Sequence, residues 1–376
     1  MNKKHRFYAV FFLTTVLFLA VCGILLFALP QRTYSENENR YLTTLKPPSF
    51  SDFLDTSMQK NFTDGANDQF LCRDLWMKFA TALQRAVGFQ DIGGVYFGKE
   101  GYYFERILDS HLSDKRWQNN LQLLEQFADT YHTAVSFLPV PSKGSLLTDL
   151  LPANAVLYHA NKLYEEIPQT LHRTAFLDVR PVLLEYKNSR QLYFKTDHHW
   201  TMDAAYLSYT AWCKVHGTKP ASLETFAPDC VRRDFFGTLY SKAPDFCAQP
   251  DDFYLPVQIP DAEINIDGRQ TDRIYDWQKL DSKDQYGVYF GGNFGRIDIR
   301  VKHSTSKKTL LLIKDSFANS IVPFFMKDYQ HIIMIDLRYY NKPLSSLMQE
   351  TLPEETLFLY ELSNFAQDIN FFKILK

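Results

Sequence analysis

The chain has little net charge, few cysteines and one long apolar run, and each scarcity excludes a class of protein. Its 376 residues include 41 Lys and Arg against 43 Asp and Glu, a net charge of −2 that gives no basic surface for nucleic acid. The five cysteines show no CxxC or zinc-binding spacing. A negative mean hydropathy excludes a polytopic membrane protein. By contrast, 31 Phe, 22 Tyr and 5 Trp exclude a disordered chain and predict a folded core.

The long apolar run lies at the N-terminus. Residues 7–29 carry no charge and would span about 35 Å as a helix, enough to cross a bilayer core. Lys3, Lys4 and Arg6 precede the run, so we predict a cytoplasmic tail at 1–6, a transmembrane anchor at 7–29 and an extracytoplasmic remainder. A cleaved signal peptide is the alternative. The run is, however, longer than the apolar segment of a typical signal peptide, and it lacks a clean cleavage site of small residues.

Four cysteines follow the anchor, in a compartment that permits disulfides. Cys230 and Cys247 would close a short loop, but nothing in the sequence fixes that pairing. Free buried thiols are an equally good interpretation of Cys72, Cys213 and this pair.

The remainder divides into a stalk and a folded domain. Residues 30–60 are polar and contain two consecutive prolines, which indicates a membrane-proximal stalk. Residues 61–376 alternate helical patterns with apolar strand-like runs, the latter at 134–140, 309–313, 331–335 and 357–360. Residues 218–306 lack a helical period and indicate an irregular, β-containing insertion. This alternation predicts an α/β domain with a central, mainly parallel sheet and a site at the carboxyl ends of its strands.

One chemically suggestive motif follows the strand at 309–313. Ser316 comes directly after Lys314 and Asp315, where the strand turns into a helix-like segment. A serine at such a turn presents its hydroxyl at the sheet edge, next to backbone N–H groups that can bind an oxyanion. The simpler interpretation is that Asp315 or Ser316 caps the helix.

A second motif places Asp197, His198 and His199 together. A nucleophilic serine needs an imidazole to accept its proton and a carboxylate to orient that imidazole. Asp197 and His199, two residues apart in an extended segment, project to one side, with Trp200 expected to pack the imidazole ring. A structural histidine pair, or a metal site completed by Asp197 and Asp315, are the alternatives.

Together the two motifs resemble the bacterial family named DHHW and the related alginate O-acetylation proteins, whose catalytic domain is SGNH-hydrolase-like. The sequence TDHHWT at 196–201 precedes KDSFAN at 314–319. Weaker resemblances extend over most of the remainder of the chain: SENENR at 35–40, DQF at 68–70, RD at 73–74, VPSK at 140–143 and FGTLY at 236–240.

The resemblance implies a three-layer SGNH-like fold and the roles of three residues. In ordinary SGNH hydrolases the serine block comes first in the chain and an Asp-x-x-His block comes last. In this chain the order is reversed and the spacing is Asp-x-His, which resembles the circularly permuted arrangement of the alginate-type proteins. By resemblance, Ser316 is the nucleophile, His199 the general base and Asp197 its orienting acid. His198 is then structural or faces the substrate.

Further candidates come from side-chain chemistry. Asn293, after two glycines, could donate its amide N–H to the oxyanion, and Arg338 with Tyr339 or Tyr340, after the strand at 331–335, could bind substrate. A simple turn and a solvated strand end are the alternatives.

The resemblance implies an anchored O-acetyltransferase or acetylesterase that acts on a cell-surface or secreted polysaccharide without a cofactor. A membrane-bound O-acyltransferase would then supply the acetyl group. Two rival functions use the same residues: a metal-dependent hydrolase built on His198 and His199, and a non-catalytic polysaccharide-binding or assembly subunit. The distance between Ser316 Oγ and His199 is the observation on which catalysis depends.

Overall fold

The computed structural model describes residues 3–35, 37–38, 40–46, 49–54 and 57–376. Parts of the predicted cytoplasmic tail (1–2), of the SENENR segment (36 and 39) and of the stalk (47–48 and 55–56) lie outside the described residues. The chain forms two compact units, one of residues 1–89 with 243–246 and the other of residues 90–242 with 247–376. The domain boundary expected at residue 61 stays a prediction.

The first unit contains the apolar N-terminal helix. That helix, α1, is long and apolar enough to cross a membrane or to serve as a signal sequence. The elements described in this unit are α1 (Lys3–Ala28), β1 (Tyr34–Ser35), β2 (Arg40–Tyr41), α2 (Phe50–Leu54), α3 (Ser57–Gln69) and α4 (Arg73–Ala86). Strands β1 and β2 pair antiparallel.

The second unit alternates helices with strands. Its helices are α5 (Asp114–Thr130), α6 (Lys143–Leu146), α7 (Ala160–Thr170), α8 (Arg180–Tyr186), α9 (Met202–Val215), α10 (Thr238–Lys242), α11 (Val322–Phe325), α12 (Leu344–Thr351) and α13 (Leu362–Gln367). Its strands are β3 (Asp91–Ile92), β4 (Val95–Phe97), β5 (Tyr103–Glu105), β6 (Ala134–Val140), β7 (Ala175–Phe176), β8 (Pro228–Phe235), β9 (Asp251–Pro256), β10 (Ala262–Ile266), β11 (Arg269–Thr271), β12 (Arg296–Val301), β13 (Thr309–Lys314), β14 (His331–Ile335) and β15 (Glu355–Glu361).

Eight strands form the central sheet, in the order β11-β10-β12-β14-β13-β15-β6-β7. The five strands from β14 to β7 are parallel, whereas β12, β10 and β11 continue the sheet antiparallel at one edge. The central, mostly parallel sheet is therefore as predicted. Residues 218–306 contribute β10, β11 and β12 to this sheet, which their irregular sequence pattern does not reveal.

The central strand β13 shows why the sheet is buried on both sides. Leu310 and Leu312 point into one hydrophobic cluster, which includes α8, α9 and α11. Leu311 and Ile313 point into the other, which includes α5, α7, α12 and α13. Because successive strand residues face opposite sides, the continuous apolar run TLLLI needs helices on both faces, and the result is a three-layer α/β unit.

Local sequence patterns account for two smaller features. The aromatic segment around residue 100 forms the antiparallel pair β4 and β5, and Pro181 lies in the first turn of α8. Cys230 forms no disulfide in the part of the chain that the structure describes, so the possible loop-closing bridge from Cys230 is absent there.

Candidate active site

Ser316 lies at the carboxyl end of β13, as the first residue of a short 3₁₀ turn. Asp315 caps that turn, because its Oδ1 accepts a hydrogen bond from the backbone N–H of Phe317 at 2.9 Å. Its Oδ2 accepts from the backbone N–H of Glu361 and from Asn364 Nδ2, so the turn is tied to the end of β15. The capping role thus belongs to Asp315 and leaves the Ser316 hydroxyl available for another partner.

A chain of hydrogen bonds joins Ser316, His199 and Asp197. His199 Nε2 lies 2.8 Å from Ser316 Oγ, and His199 Nδ1 lies 2.6 Å from Asp197 Oδ1. These distances suit an imidazole that donates from Nδ1 to the carboxylate and accepts the serine proton at Nε2. The serine and the imidazole, 117 residues apart, are therefore within reach of one another without rearrangement.

The second carboxylate oxygen of Asp197 also accepts two hydrogen bonds. Asp197 Oδ2 accepts hydrogen bonds from the backbone N–H and the hydroxyl of Thr238, at 2.7 and 3.0 Å. Gly237 packs so closely that a Cβ there would overlap the Asp197 side chain. Burial alone would raise the pKa of Asp197, but the neighbouring imidazoles and these donors hold it well below its ordinary value. The carboxylate is therefore ionised.

The loop that carries Asp197 and His199 has no regular secondary structure between residues 194 and 199, and a buried lysine holds it in place. Lys143 Nζ donates to the backbone carbonyls of Phe194, Lys195 and Asp197, at 2.8, 3.0 and 2.6 Å. Three acceptors match the three N–H groups of an ammonium, although burial lowers the pKa of Lys143 to about 7.

A buried carboxylate, Asp251, fixes the same loop through its backbone N–H groups. It accepts from the N–H of Lys195 and from that of Thr196, at 2.8 and 3.3 Å. One cation and one anion thus replace the sheet hydrogen bonds that this segment lacks.

The imidazole of His199 is covered by aromatic rings. Tyr286 stacks on it with a centroid distance of 3.7 Å and an interplanar angle of 7°. Trp200, which the sequence predicts to pack on this ring, lies elsewhere. Its indole N–H points toward the serine turn, where it donates to the Phe317 carbonyl and to Ser320 Oγ. Burial lowers the pKa of His199 to about 4, so the imidazole is neutral near pH 7 and can accept a proton.

Asn293 is oriented by a buried lysine beside the serine turn. Lys314 Nζ donates to Asn293 Oδ1 at 3.1 Å and to Asn319 Oδ1 at 2.9 Å, and Asn319 Nδ2 donates to Asn293 Oδ1 as well. Because an ammonium only donates, Asn293 must turn its oxygen toward Lys314 and its NH₂ group away. The NH₂ group of Asn293 is therefore directed away from Lys314, and its predicted donation to an oxyanion stays a prediction.

The three candidates after β14 are placed differently. Arg338 forms a bidentate pair with the buried Asp336 at 2.9 and 2.6 Å, and its charge contributes to lowering the pKa of His199. Tyr339 is exposed, whereas Tyr340 is buried in the hydrophobic cluster of α12. The aromatic face of Tyr340 is thus already packed by the protein.

His198 lines a cleft beside the serine. Its Nδ1 lies 2.7 Å from Thr238 Oγ1, and the same cleft is lined by Phe317, Glu361 and Glu105. Burial raises the pKa of Glu361 to about 7. His198 is therefore both hydrogen-bonded within the site and exposed to whatever enters the cleft.

Asp197, His198 and His199 also have the composition of a metal site, with ligand atoms within 4.8 Å of one another. In the geometry described, however, His199 uses Nδ1 as a donor to Asp197 and Nε2 as an acceptor for Ser316. A metal ion would need a free nitrogen lone pair. His199 has none unless Ser316 is displaced.

Sequence reasoning missed Asp251, Lys143, Thr238 and Tyr286. Lys143 and Thr238 lie in the short VPSK and FGTLY motifs, and their presence in those motifs is the signal that could have indicated a role. Tyr286, in contrast, lies in a segment without a recognisable pattern, and no signal in the sequence places it on His199.

Solved structures share this fold. A DHHW family protein from Eubacterium siraeum, 20% identical, aligns over 76% of this chain and 95% of its own with a TM-score of 0.63. Bacillus cereus PatB1 with a sulfonyl adduct, 21% identical, aligns over 75% and 98% with a TM-score of 0.62. The O-acetyltransferase domain of Pseudomonas putida AlgJ, 13% identical, aligns over 73% and 93% with a TM-score of 0.45, too low to support further conclusions.

The family comparison concerns the segment that carries the site. No curated protein matches the sequence. Residues 155–335 match the family model described as DHHW protein, and this segment includes Asp197, His199 and Ser316. Over residues 155–335, the match confirms the resemblance to the DHHW family that the sequence predicts.

Proposed function

We propose that this chain is a membrane-anchored, extracytoplasmic O-acetyltransferase or acetylesterase that modifies a cell-surface or secreted polysaccharide through an acetyl-Ser316 intermediate. The observation that carries the proposal is the hydrogen-bonded chain from Ser316 Oγ through His199 to Asp197. Its order of hydroxyl, imidazole and carboxylate is that of serine-dependent acyl transfer. The apolar helix α1 supports the anchored location, with the N-terminus in the cytoplasm.

In the first half-reaction, His199 Nε2 takes the proton of Ser316 as Oγ attacks the carbonyl carbon of an acetyl ester or thioester. The resulting tetrahedral intermediate carries its negative charge on the former carbonyl oxygen. When it collapses, the bond to the leaving group breaks, His199 returns the proton to that group, and acetyl remains on Ser316. Asp197 stabilises the imidazolium that exists between the two proton transfers.

The oxyanion needs hydrogen-bond donors. As the first residue of its 3₁₀ turn, Ser316 has a backbone N–H without a partner inside that turn. The N–H of Phe317 is engaged by Asp315, so we assign the second donation to the amide of Asn293, which Lys314 orients. Each such donor contributes about 3 kcal/mol in the transition state.

In the second half-reaction, a hydroxyl takes the place of the leaving group. His199 accepts its proton as its oxygen attacks acetyl-Ser316, and the proton then returns to Ser316 Oγ. A sugar hydroxyl gives transfer and water gives hydrolysis, so the distinction depends on which acceptor the cleft holds. The resemblance to alginate O-acetylation proteins favours transfer, with a membrane-bound O-acyltransferase as the supplier of acetyl groups.

The test replaces the nucleophile. We expect Ser316→Ala to lose release of acetate from a chromogenic acetyl ester and to lose covalent labelling by a sulfonyl fluoride, measured as an intact-mass shift. Ser189→Ala, which changes an exposed serine, should keep both. Wild-type turnover and labelling that persist in a folded Ser316→Ala protein would contradict the proposal.

The same assay separates the two rival functions. Activity that is lost on chelation and restored by zinc would favour a metal-dependent hydrolase that uses the Asp197, His198 and His199 cluster. A folded wild-type protein that binds polysaccharide but neither turns over esters nor reacts with the sulfonyl fluoride would favour a binding subunit.

A further inference from the structure

The cleft beside Ser316 is narrow, and several polar groups that line it take no part in the proposed acyl transfer. Its volume is about 30 Å³, the space of one or two water molecules. A cleft of this size admits one substituent of a sugar and leaves the sugar ring outside. The polar side chains that meet such a substituent include Glu105, Ser142, His198 and Glu361.

Glu361 brings a buried carboxylate to this cleft. The residue is 5% exposed, and its Oε2 accepts from the Ser363 hydroxyl and from the backbone N–H of Asn364, at 2.5 and 2.9 Å. Its Oε1 accepts from the Tyr158 hydroxyl at 3.5 Å, but that hydroxyl also lies 3.2 Å from Ser142 Oγ, to which it donates. Because one hydroxyl proton is shared between these two oxygens, Oε1 is a buried acceptor with a long, divided hydrogen bond. A ligand that donates to Oε1 would complete its hydrogen bonding.

His198 brings a second hydrogen-bond acceptor to the cleft. Its Nδ1 lies 2.7 Å from Thr238 Oγ1, and the Thr238 hydroxyl donates its single proton to Asp197 Oδ2. The proton of the hydrogen bond between His198 and Thr238 must therefore be on Nδ1. The neutral imidazole then leaves Nε2 as an acceptor.

The charges that line the cleft are negative or already paired. Glu361 and Glu105 contribute two carboxylates, of which Glu105 pairs with Lys242. Lys143 lines the cleft as well, but its ammonium donates to three backbone carbonyls of the neighbouring loop. The carboxylate of Glu361 therefore has no cation as its partner among the described residues that line the cleft.

Arg338 is a further cation whose charge reaches the site, since it contributes to lowering the pKa of His199. Its guanidinium forms a bidentate pair with Asp336, and Arg338 is not one of the described residues that line the cleft. An anionic substituent in the cleft would thus meet the like charge of Glu361. A hydroxyl or an ammonium group, in contrast, could donate to Glu361 and to His198.

We propose that this cleft binds the sugar that receives the acetyl group through one substituent that donates hydrogen bonds and carries no negative charge, and that Glu361 selects this substituent. The polysaccharide is then built from neutral or amino sugars at the acetylated position, and a uronic acid is disfavoured there. Glu361 binds the sugar while His199 accepts the proton of the attacking hydroxyl. This selection requires an acetyl group on Ser316, and so it rests on the proposed function.

Sulfonyl fluorides of opposite charge test the cleft without a choice of sugar. Full-length protein at about pH 8, above the pKa of about 7 of Glu361, is treated with an aminoethyl-substituted benzenesulfonyl fluoride, a cation, or with a carboxy-substituted one, an anion. Each rate of Ser316 labelling, followed by intact mass, is divided by the rate at which that reagent hydrolyses in buffer. Glu361→Gln keeps an oxygen that can accept from Ser363 and Asn364 but removes the charge. Glu185→Gln makes the same change at an exposed glutamate, and melting curves verify that both variants fold.

We expect the wild type and Glu185→Gln to prefer the cationic reagent roughly tenfold, and Glu361→Gln to lose most of that preference. Glu105→Gln should shift the ratio in the same direction by less, because Lys242 already pairs with Glu105, and it provides the test if the Glu361 variant does not fold. In a competition experiment, oligogalacturonic acid should protect Ser316 from unsubstituted benzenesulfonyl fluoride less than the same oligomer after reduction of its carboxyl groups to hydroxymethyl groups.

Three results overturn the proposal and leave Ser316 as the nucleophile. They are labelling without a preference for the cationic reagent, a preference that is unchanged in Glu361→Gln, and protection by the uronate that equals or exceeds protection by the reduced oligomer. A wild-type protein that none of the sulfonyl fluorides labels would instead contradict the proposed function itself.

Discussion

The two halves of the candidate site are built in different ways. Ser316 belongs to a short turn after a central strand, and its position follows from β13, from the cap at Asp315 and from the backbone of the next strand. Asp197 and His199 lie in a loop without regular structure, held by the side chain of Lys143 and by the backbone N–H and hydroxyl of Thr238. The serine is therefore positioned by secondary structure, and the imidazole next to it by buried polar groups from distant parts of the chain.

This difference predicts how each half fails. We expect a change at the serine turn to disturb the sheet before it moves Ser316, whereas the His199 imidazole can be displaced by removing one side chain from another element. The loop is thus the more sensitive half, and substitutions around it should lower activity before they lower stability to the same degree.

The largest effect on the loop is expected from Asp197→Asn. The amide keeps the shape but cannot accept from both Nδ1–H and Thr238 as the carboxylate does, so His199 loses the tautomer that accepts the serine proton. We expect kcat for ester turnover to fall about 10⁴-fold, with little change in melting temperature. Turnover within tenfold of the wild type would show that His199 does not depend on Asp197.

The next effect in size is expected from Lys143→Met, which leaves three loop carbonyls without their donor. We expect kcat to fall roughly 10- to 100-fold and the free energy of unfolding to fall by about 3 kcal/mol, while KM changes less than kcat because the Lys143 amine is engaged by three backbone carbonyls of the loop. The control is Lys195→Met, a lysine of the same loop that bonds Gln249. Equal losses in both variants would contradict a positioning role for Lys143.

A smaller effect is expected from Thr238→Val. The substitution removes the hydroxyl that bonds Asp197 and His198 but keeps the backbone N–H that also bonds Asp197. The loss of one buried hydrogen bond, about 1 kcal/mol, corresponds to a roughly fivefold lower kcat. A loss as large as that of Asp197→Asn would mean that the hydroxyl, and not the backbone, orients the carboxylate.

The smallest effect is expected from mild acid. Burial lowers the pKa of His199 to about 4, and the neutral imidazole is the proposed base, so protonation of His199 removes that base only as the pH falls toward this value. Between pH 7.5 and 5.5, protonation of His199 should therefore lower kcat/KM by less than about twofold, whereas a histidine with an ordinary pKa near 6.5 would lose about tenfold. A pH–rate profile with its acid limb near 6.5 would show a solvated His199.

The same contrast explains what the sequence can predict. The run TLLLI followed by KDS predicts the strand, the turn and the position of the serine at its start because each depends on residues adjacent in the chain. The helices α5 and α9 follow from local apolar periodicity for the same reason. The pairing of Asp197, His199 and Ser316 was predicted from chemistry and family resemblance, since no local signal joins positions 117 residues apart.

Other features depend on tertiary packing and were not predictable. The stacking of Tyr286 on His199, in place of the expected Trp200, results from the path of an irregular segment. The addition of β10, β11 and β12 to the sheet depends on the pairing of β12 with β14. The burial of Tyr340 depends on the hydrophobic cluster that includes α12.

The stacked Tyr286 limits how the imidazole can move. Its ring lies parallel to that of His199, and its hydroxyl donates to the Ser316 carbonyl, while Asp197 occupies Nδ1. The imidazole thus offers Nε2 alone, in one fixed direction. In the proposed reaction, the departing alcohol or thiol and the incoming hydroxyl must then occupy the same position in succession. This gives ping-pong kinetics, in which the acceptor competes with the acetyl donor for the free enzyme and the donor competes with the acceptor for the acetyl-enzyme.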